Sequence, residues 1–152
     1  MRTMEITAFD LAQRFTGVEE VSGSASNPHV LAMLRLDQEW PEGDDVPWCS
    51  AFVNYVAWLL RLPRSKSLRA RSWLRIGRPI SLDEAETGFD VAILKRGKGN
   101  QPGPDLIEAP GHVGFFARRE GNRVLMLGGN QSDAVNLKRF PASRLLGIRR
   151  LV

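Results

Sequence analysis

One thiol, one suitably placed imidazole and one carboxamide are the side chains of this 152-residue sequence that could together do covalent chemistry. The thiol is Cys49, the sole cysteine, in the stretch DDVPWCSAFVNYVAWLL (44–60). Pro47 suits the first position of a helix, which predicts Cys49 at the third position of the first turn. Unpaired backbone N–H groups and the positive end of the helix dipole lower a thiol's pKa there. Such a thiolate needs a base within hydrogen-bond reach, and the base needs a third group to orient it. Of the two histidines, His29 lies early in a polar-flanked helix, whereas His112 opens an apolar run after Gly111. Asn130, in GGNQS, follows one hairpin turn later. An antiparallel pair turning at 119–122 sets the start of the first strand beside the end of the second, so His112 and Asn130 become neighbours. Taken singly, each has an ordinary reading: a small core residue, a loop histidine, a turn asparagine. Their coincidence is what points to a nucleophilic thiol with a base and an orienter.

The elements that must position these groups are legible from pattern. Thr7 caps a helix with Ala8, Leu11, Ala12 and Phe15 inward, stopped by Gly17. Asn27 and Pro28 open a second helix. A third runs from about Pro47 to Leu60, apolar nearly all round, hence a rigid central mount. Ser67 caps a fourth, LRARSWLRI, ended by Gly77. Beyond it, segments 89–95, 112–118, 123–129, 134–140 and 145–151 read as antiparallel strands in a meander. Helices first and strands afterwards predict an α+β domain with the N-terminal helices on one face of a C-terminal antiparallel sheet. Phe115, Phe116, Trp58 and Trp73 are assigned to the core. The segment 97–111, with four Gly and three Pro between two strands, reads as a functional rim or a disordered loop.

Composition excludes several classes. A lone cysteine rules out an internal disulfide or a zinc site built on several thiolates, and no H-E-x-x-H occurs. No metal and no cofactor is expected. The longest apolar stretch, AFVNYVAWLL, is too short to span a bilayer, and MRTMEITAFDLAQRFTG lacks the apolar centre of a signal peptide. Residues 1–60 carry three basic and nine acidic side chains, and residues 61–152 eighteen and eight. The basic half suits an anionic envelope or a solvated face. No aromatic interleaving or recognition motif accompanies it, so no nucleic-acid partner is expected.

In order, PWCSAFVNYV, ARSWL, GFDVAIL, GHVGFF, LGGNQSDAVNL and SRLLGIRR resemble the small phage and bacterial peptidoglycan-cleaving cysteine peptidases of the NlpC/P60 and CHAP group, which have papain-like folds. The resemblance runs from about Gly17 to the C-terminus. It implies Cys49 as nucleophile, His112 as general base and then acid, Asn130 as orienter, and hydrolysis of a cell-wall peptide amide through an acyl-enzyme. The second oxyanion donor is open, with Gln131 one candidate; Trp48 and Asp45 are candidate substrate contacts beside it. The expectation is one catalytic domain over 1–152, monomeric, with no separate wall-binding domain. It would be made without a signal peptide and act at the wall, as an endolysin released through a holin or an effector with an immunity protein. Two alternatives remain: a non-catalytic wall- or lipid-binding module on the same fold, and a papain-like amidase with a cytoplasmic substrate.

Overall fold

The computed structural model describes residues 3–21, 27–37 and 47–152. Helix α1 (Ala8–Gln13) opens on a capping box in which the Thr7 hydroxyl accepts from the Asp10 N–H and the Asp10 carboxylate accepts from the Thr7 N–H. Helix α2 (Pro28–Arg35) has Asn27 as its cap, accepting from the His29 N–H, and buries Val30, Met33 and Leu34. Helix α3 (Cys49–Leu59) begins two residues later than Pro47 suggests. Its cap is Trp48, which makes no side-chain capping bond, and Cys49 is therefore the first helical residue, not the third.

Six strands follow: β1 (Arg78–Ile80), β2 (Asp90–Lys95), β3 (Gly111–Glu120), β4 (Arg123–Gln131), β5 (Ala134–Pro141) and β6 (Leu145–Arg150). They form one antiparallel sheet in the order β1-β6-β2-β3-β4-β5. The expected meander holds for β2 to β5. The last strand instead crosses back to pair with β2, and β1, not foreseen, extends the edge. The crossing is anchored where Asp90 faces Arg150 across the sheet. There the buried Asp90 carboxylate accepts from the guanidinium at 2.7 and 2.8 Å, a two-pronged pairing that favours this register. The fourth helical segment is a 3₁₀ helix, Ala70–Arg75, capped by Arg69. The Ser67 hydroxyl accepts from Arg69 N–H, closing a local turn before the helix instead of capping an α-helix.

Alternation along the strands builds two cores. Val91, Ile93, Val113, Phe115 and Leu127 face the helices and meet Phe52, Val53 and Val56 of α3. Ala92, Leu94, Phe116, Val124, Met126 and Ile148 form a second cluster. Burial on both sides explains why DVAILK reads as a continuous apolar run. Trp73 and Phe115 are buried as expected, but Trp58, assigned to the core, is 48% exposed near the C-terminal end of α3.

A polar network ties α3 to the segment that follows it. The Ser50 hydroxyl donates to Ser67 O and accepts from the Trp73 indole, while Asn54 accepts from Lys66 N–H and donates to Ser50 O. Ser50 is the residue after the thiol, so this network fixes the turn that presents Cys49.

The long loop before β3 is also held. Fully buried Arg71, on the 3₁₀ helix, donates to the carbonyls of Pro102, Gly103, Leu106 and Pro110. Its Nη2 has no hydrogen-bond partner among the described residues, and burial pulls the guanidinium's pKa below its usual value. Arg71→Met should therefore cost about 2–4 kcal/mol, since four carbonyls lose a charged donor. It should also open the 97–111 loop to limited proteolysis. An unchanged denaturation midpoint with an equally resistant loop would refute this clamp.

Candidate active site

Cys49 is 2% exposed at the start of α3. Burial pushes its thiol pKa up, but a hydrogen bond from His112 and the imidazolium charge pull it down. The Val113 N–H and the charge of Arg96 add to these, and the thiol ends below its usual value. The first amides of α3 have no intrahelical partner, and the cap residue Trp48 makes no side-chain bond to them. Among the described residues the Cys49 N–H has no recorded partner, and its place in the first turn suits it to donate to an oxyanion.

His112 is buried, and its Nε2 lies 3.0 Å from Oε1 of Gln131. The Gln131 amide can take only one orientation. Its Nε2 donates to Asn136 O at 2.7 Å, Asn136 Oδ1 at 3.1 Å and Met126 O at 3.3 Å, so its Oε1 must face the imidazole. Asn136 returns a bond from its Nδ2 to Gln131 O. An oxygen facing Nε2 requires a proton there, which leaves Nδ1 as the nitrogen for the thiol. Phe140 lies against the imidazole, ring centres 5.1 Å apart.

The carboxamide that meets His112 is therefore that of Gln131 and not of Asn130, the neighbour expected from sequence. The pairing Phe115↔Leu127, continued along the strands, does set His112 opposite position 130. But Asn130 has φ 57°, in the left-handed region, and the β4–β5 register slips between Gly128 and Gln131. One extra residue exchanges the faces of a strand. Position 131 thereby takes the place that alternation gives to 130.

The two glycines before it are required by close approach. A Cβ at Gly128 would stand 2.5 Å from Gln131 Oε1, so the side chain occupies the space Gly128 leaves. A Cβ at Gly129 would stand 2.7 Å from the Trp48 ring and 2.8 Å from Phe52 Cβ. Gly129 thus lets the start of α3 lie directly on β4, which brings thiol and imidazole together.

The remaining expectations divide. Trp48 is fully buried against Gly129, with its indole donating to Glu20 at 2.8 Å. Of the two places open to it from sequence, lining a cleft or packing beneath the helix, it takes the second. Asp45 lies outside the described residues. Gln131, a candidate for the second oxyanion donor, turns its oxygen to His112 and its NH₂ to carbonyls. Asn136, Phe140, Arg96 and Gly128 were missed; only the GG doublet before NQ carried a signal for any of them. Among the described residues no three His, Cys, Asp or Glu side chains gather as a metal site.

No family model matches the chain, and no curated protein matches it in sequence. Solved structures do. NlpC1 from Trichomonas vaginalis superposes with a TM-score of 0.56 at 13% identity, over 99% of this chain and 46% of that one. An NlpC/P60 family protein from Bacillus cereus ATCC 10987 gives 0.54 at 12%, over 95% and 39%. The fold is NlpC/P60-like. At these identities the likeness extends to architecture alone, and the chain spans less than half the length of either structure. Within this NlpC/P60-like frame the first turn of α3 and the adjoining ends of β3 and β4 hold the thiol, the imidazole and the carboxamide.

Proposed function

We propose that the protein is a cysteine hydrolase that cleaves an amide bond of cell-wall peptide, with Cys49 as nucleophile, His112 as general base and acid, and Gln131 as orienter. The observation that carries this reading is the continuous chain Asn136–Gln131–His112–Cys49. Core packing has no need of a buried thiol held below its usual pKa by an imidazole of fixed tautomer.

In the reaction, His112 Nδ1 takes the thiol proton as Sγ attacks the amide carbon. The carbonyl oxygen gains the negative charge, with the Cys49 N–H as one donor to it. As the C–N bond breaks, the imidazolium returns its proton to the leaving amine, and a thioester remains. Water, deprotonated by the same nitrogen, then releases the acid and restores the thiol. The Gln131 oxygen supports the imidazolium in both halves by accepting its Nε2–H.

Peptidoglycan is the proposed substrate because an NlpC/P60-like frame is combined with a basic C-terminal half. Mass spectrometry of purified sacculi after incubation should show new fragments with the wild-type protein and none with Cys49→Ala; their masses identify the bond cut. Intact sacculi with both, under conditions where Cys49 is alkylated readily, would move the substrate to another amide.

A further inference from the structure

A cavity of about 420 Å³ opens on the imidazole side of the site, bounded by His112 and Gln131 at one end. The thiol does not line it. Four cationic side chains do: Lys95, Arg96, Lys138 and Arg144, against the single acidic Asp133. Elsewhere, six arginines are bound to carboxylates, among them Arg64 to Asp37, Arg119 to Asp83 and Arg150 to Asp90. None of the four on this wall has a carboxylate within ion-pair distance among the described residues.

Arg144 is fixed in place by neutral partners. Its Nε donates to Lys95 O at 3.1 Å and its Nη2 to Gly97 O at 2.7 Å, which tether the guanidinium to the end of β2 without neutralising it. Among the described residues Lys138 reaches only the Ser132 hydroxyl, at 3.4 Å, and the face of Phe140. The field already extends to the reacting atom, since the charge of Arg96 acts on the Cys49 thiol. Like charges gathered around one concavity repel each other unless an anion joins them. A guanidinium flanked by ammonium groups matches a planar oxyanion.

We propose that this cavity is a subsite for a carboxylate borne by the substrate near the scissile amide, held by Arg144 with Lys138, Arg96 and Lys95. The inference rests on the hydrolase reading for the word substrate, but not for the anion site itself. A carboxylate held there is separated from the thiol by the imidazole, so it aligns the amide without competing for the oxyanion position. Peptides that carry an amide in place of that carboxylate are poor substrates.

Two measurements test this. The first compares alkylation of Cys49 by anionic iodoacetate and neutral iodoacetamide. The ratio of the two rates should fall about three- to fivefold in the double variant Arg96→Gln, Lys138→Gln, because two nearby charges are removed. Both residues are exposed and neither holds backbone, so folding is retained; Arg144→Gln provides a third charge removal.

The second compares soluble muropeptides with free carboxylates and the same muropeptides as carboxamides. Wild-type KM should be about tenfold higher for the carboxamides, and the double variant should lose this preference. An unchanged alkylation ratio, or equal KM for the two peptides, overturns the subsite while leaving the hydrolase intact. If neither peptide is cleaved yet the ratio falls, the peptidoglycan reading fails and the anion site stands. Should inorganic phosphate protect Cys49 from iodoacetate while the two peptides are cleaved alike, the cavity belongs to free phosphate and the substrate carboxylate is overturned.

Discussion

His112→Ala should abolish measurable hydrolysis and, in the same protein, move the reactivity of Cys49 to higher pH. Both effects follow from the balance of forces at the thiol. Burial acts upward on its pKa and is the largest single influence; the imidazole reverses it through a hydrogen bond and through charge. Without the imidazole, the Val113 N–H and the charge of Arg96 are left to oppose burial. The thiol then moves upward instead of settling at the ordinary value of about 8.5. In the wild type the lowered pKa keeps the thiolate present below that ordinary value, and reactivity is lost only as pH falls through the lowered pKa. In the variant, thiolate appears only at higher pH. The iodoacetamide rate measured against pH should therefore rise at lower pH for the wild type than for His112→Ala. Hydrolysis suffers twice, because the proton donor to the leaving amine is also gone; general acid–base transfer alone contributes about 10²–10⁴-fold. Superimposable pH–alkylation curves would show that the imidazole does not activate the sulfur, and the proposed mechanism would be lost.

What the sequence allowed to be read was local, and what it concealed was nonlocal or conformational. Thr7 with Asp10, and Asn27 with Pro28, announce helix starts because capping is a matter of residues two or three apart. Strands β2 to β5 follow from apolar runs divided by turn residues. Strand β1 is three residues long with Pro79 inside it, and it exists only because β6 lies alongside. The placement of β6 rests on Asp90 and Arg150, sixty residues apart, which no window along the chain connects. Cys49 and His112 could be set side by side from sequence because thiol and imidazole are rare and the helix and strand that carry them are legible, although α3 starts two residues later than expected. The carboxamide beside His112 lies one residue further on than expected because the strand register was continued as though every residue were extended. The left-handed conformation at Asn130 breaks that assumption, and asparagine is among the few residues that adopt it readily.

Substitution at that one-residue step gives the sharpest discrimination between the two orienters. Gln131→Ala should lower kcat about 10²-fold, since an imidazole free to rotate or to protonate at the wrong nitrogen no longer offers Nδ1 to the thiol. Asn130→Gly keeps the left-handed backbone, which glycine adopts without strain, and removes a side chain that, among the described residues, makes no hydrogen bond to His112. It should lose severalfold at most. Gln131→Glu separates orientation from charge. A carboxylate could still face the imidazolium, but its second oxygen would confront Asn136 O and Met126 O, where the NH₂ group now donates. Two acceptors in contact at a buried position cost about 1–3 kcal/mol. Gln131→Glu should therefore melt earlier than Gln131→Ala while resembling it in activity. The amide is needed because one end must accept from His112 and the other must donate to β-strand carbonyls, a demand that neither Asp nor Glu can meet. If Asn130→Gly were the crippled variant and Gln131→Ala the active one, the register slip in β4 would have no catalytic meaning.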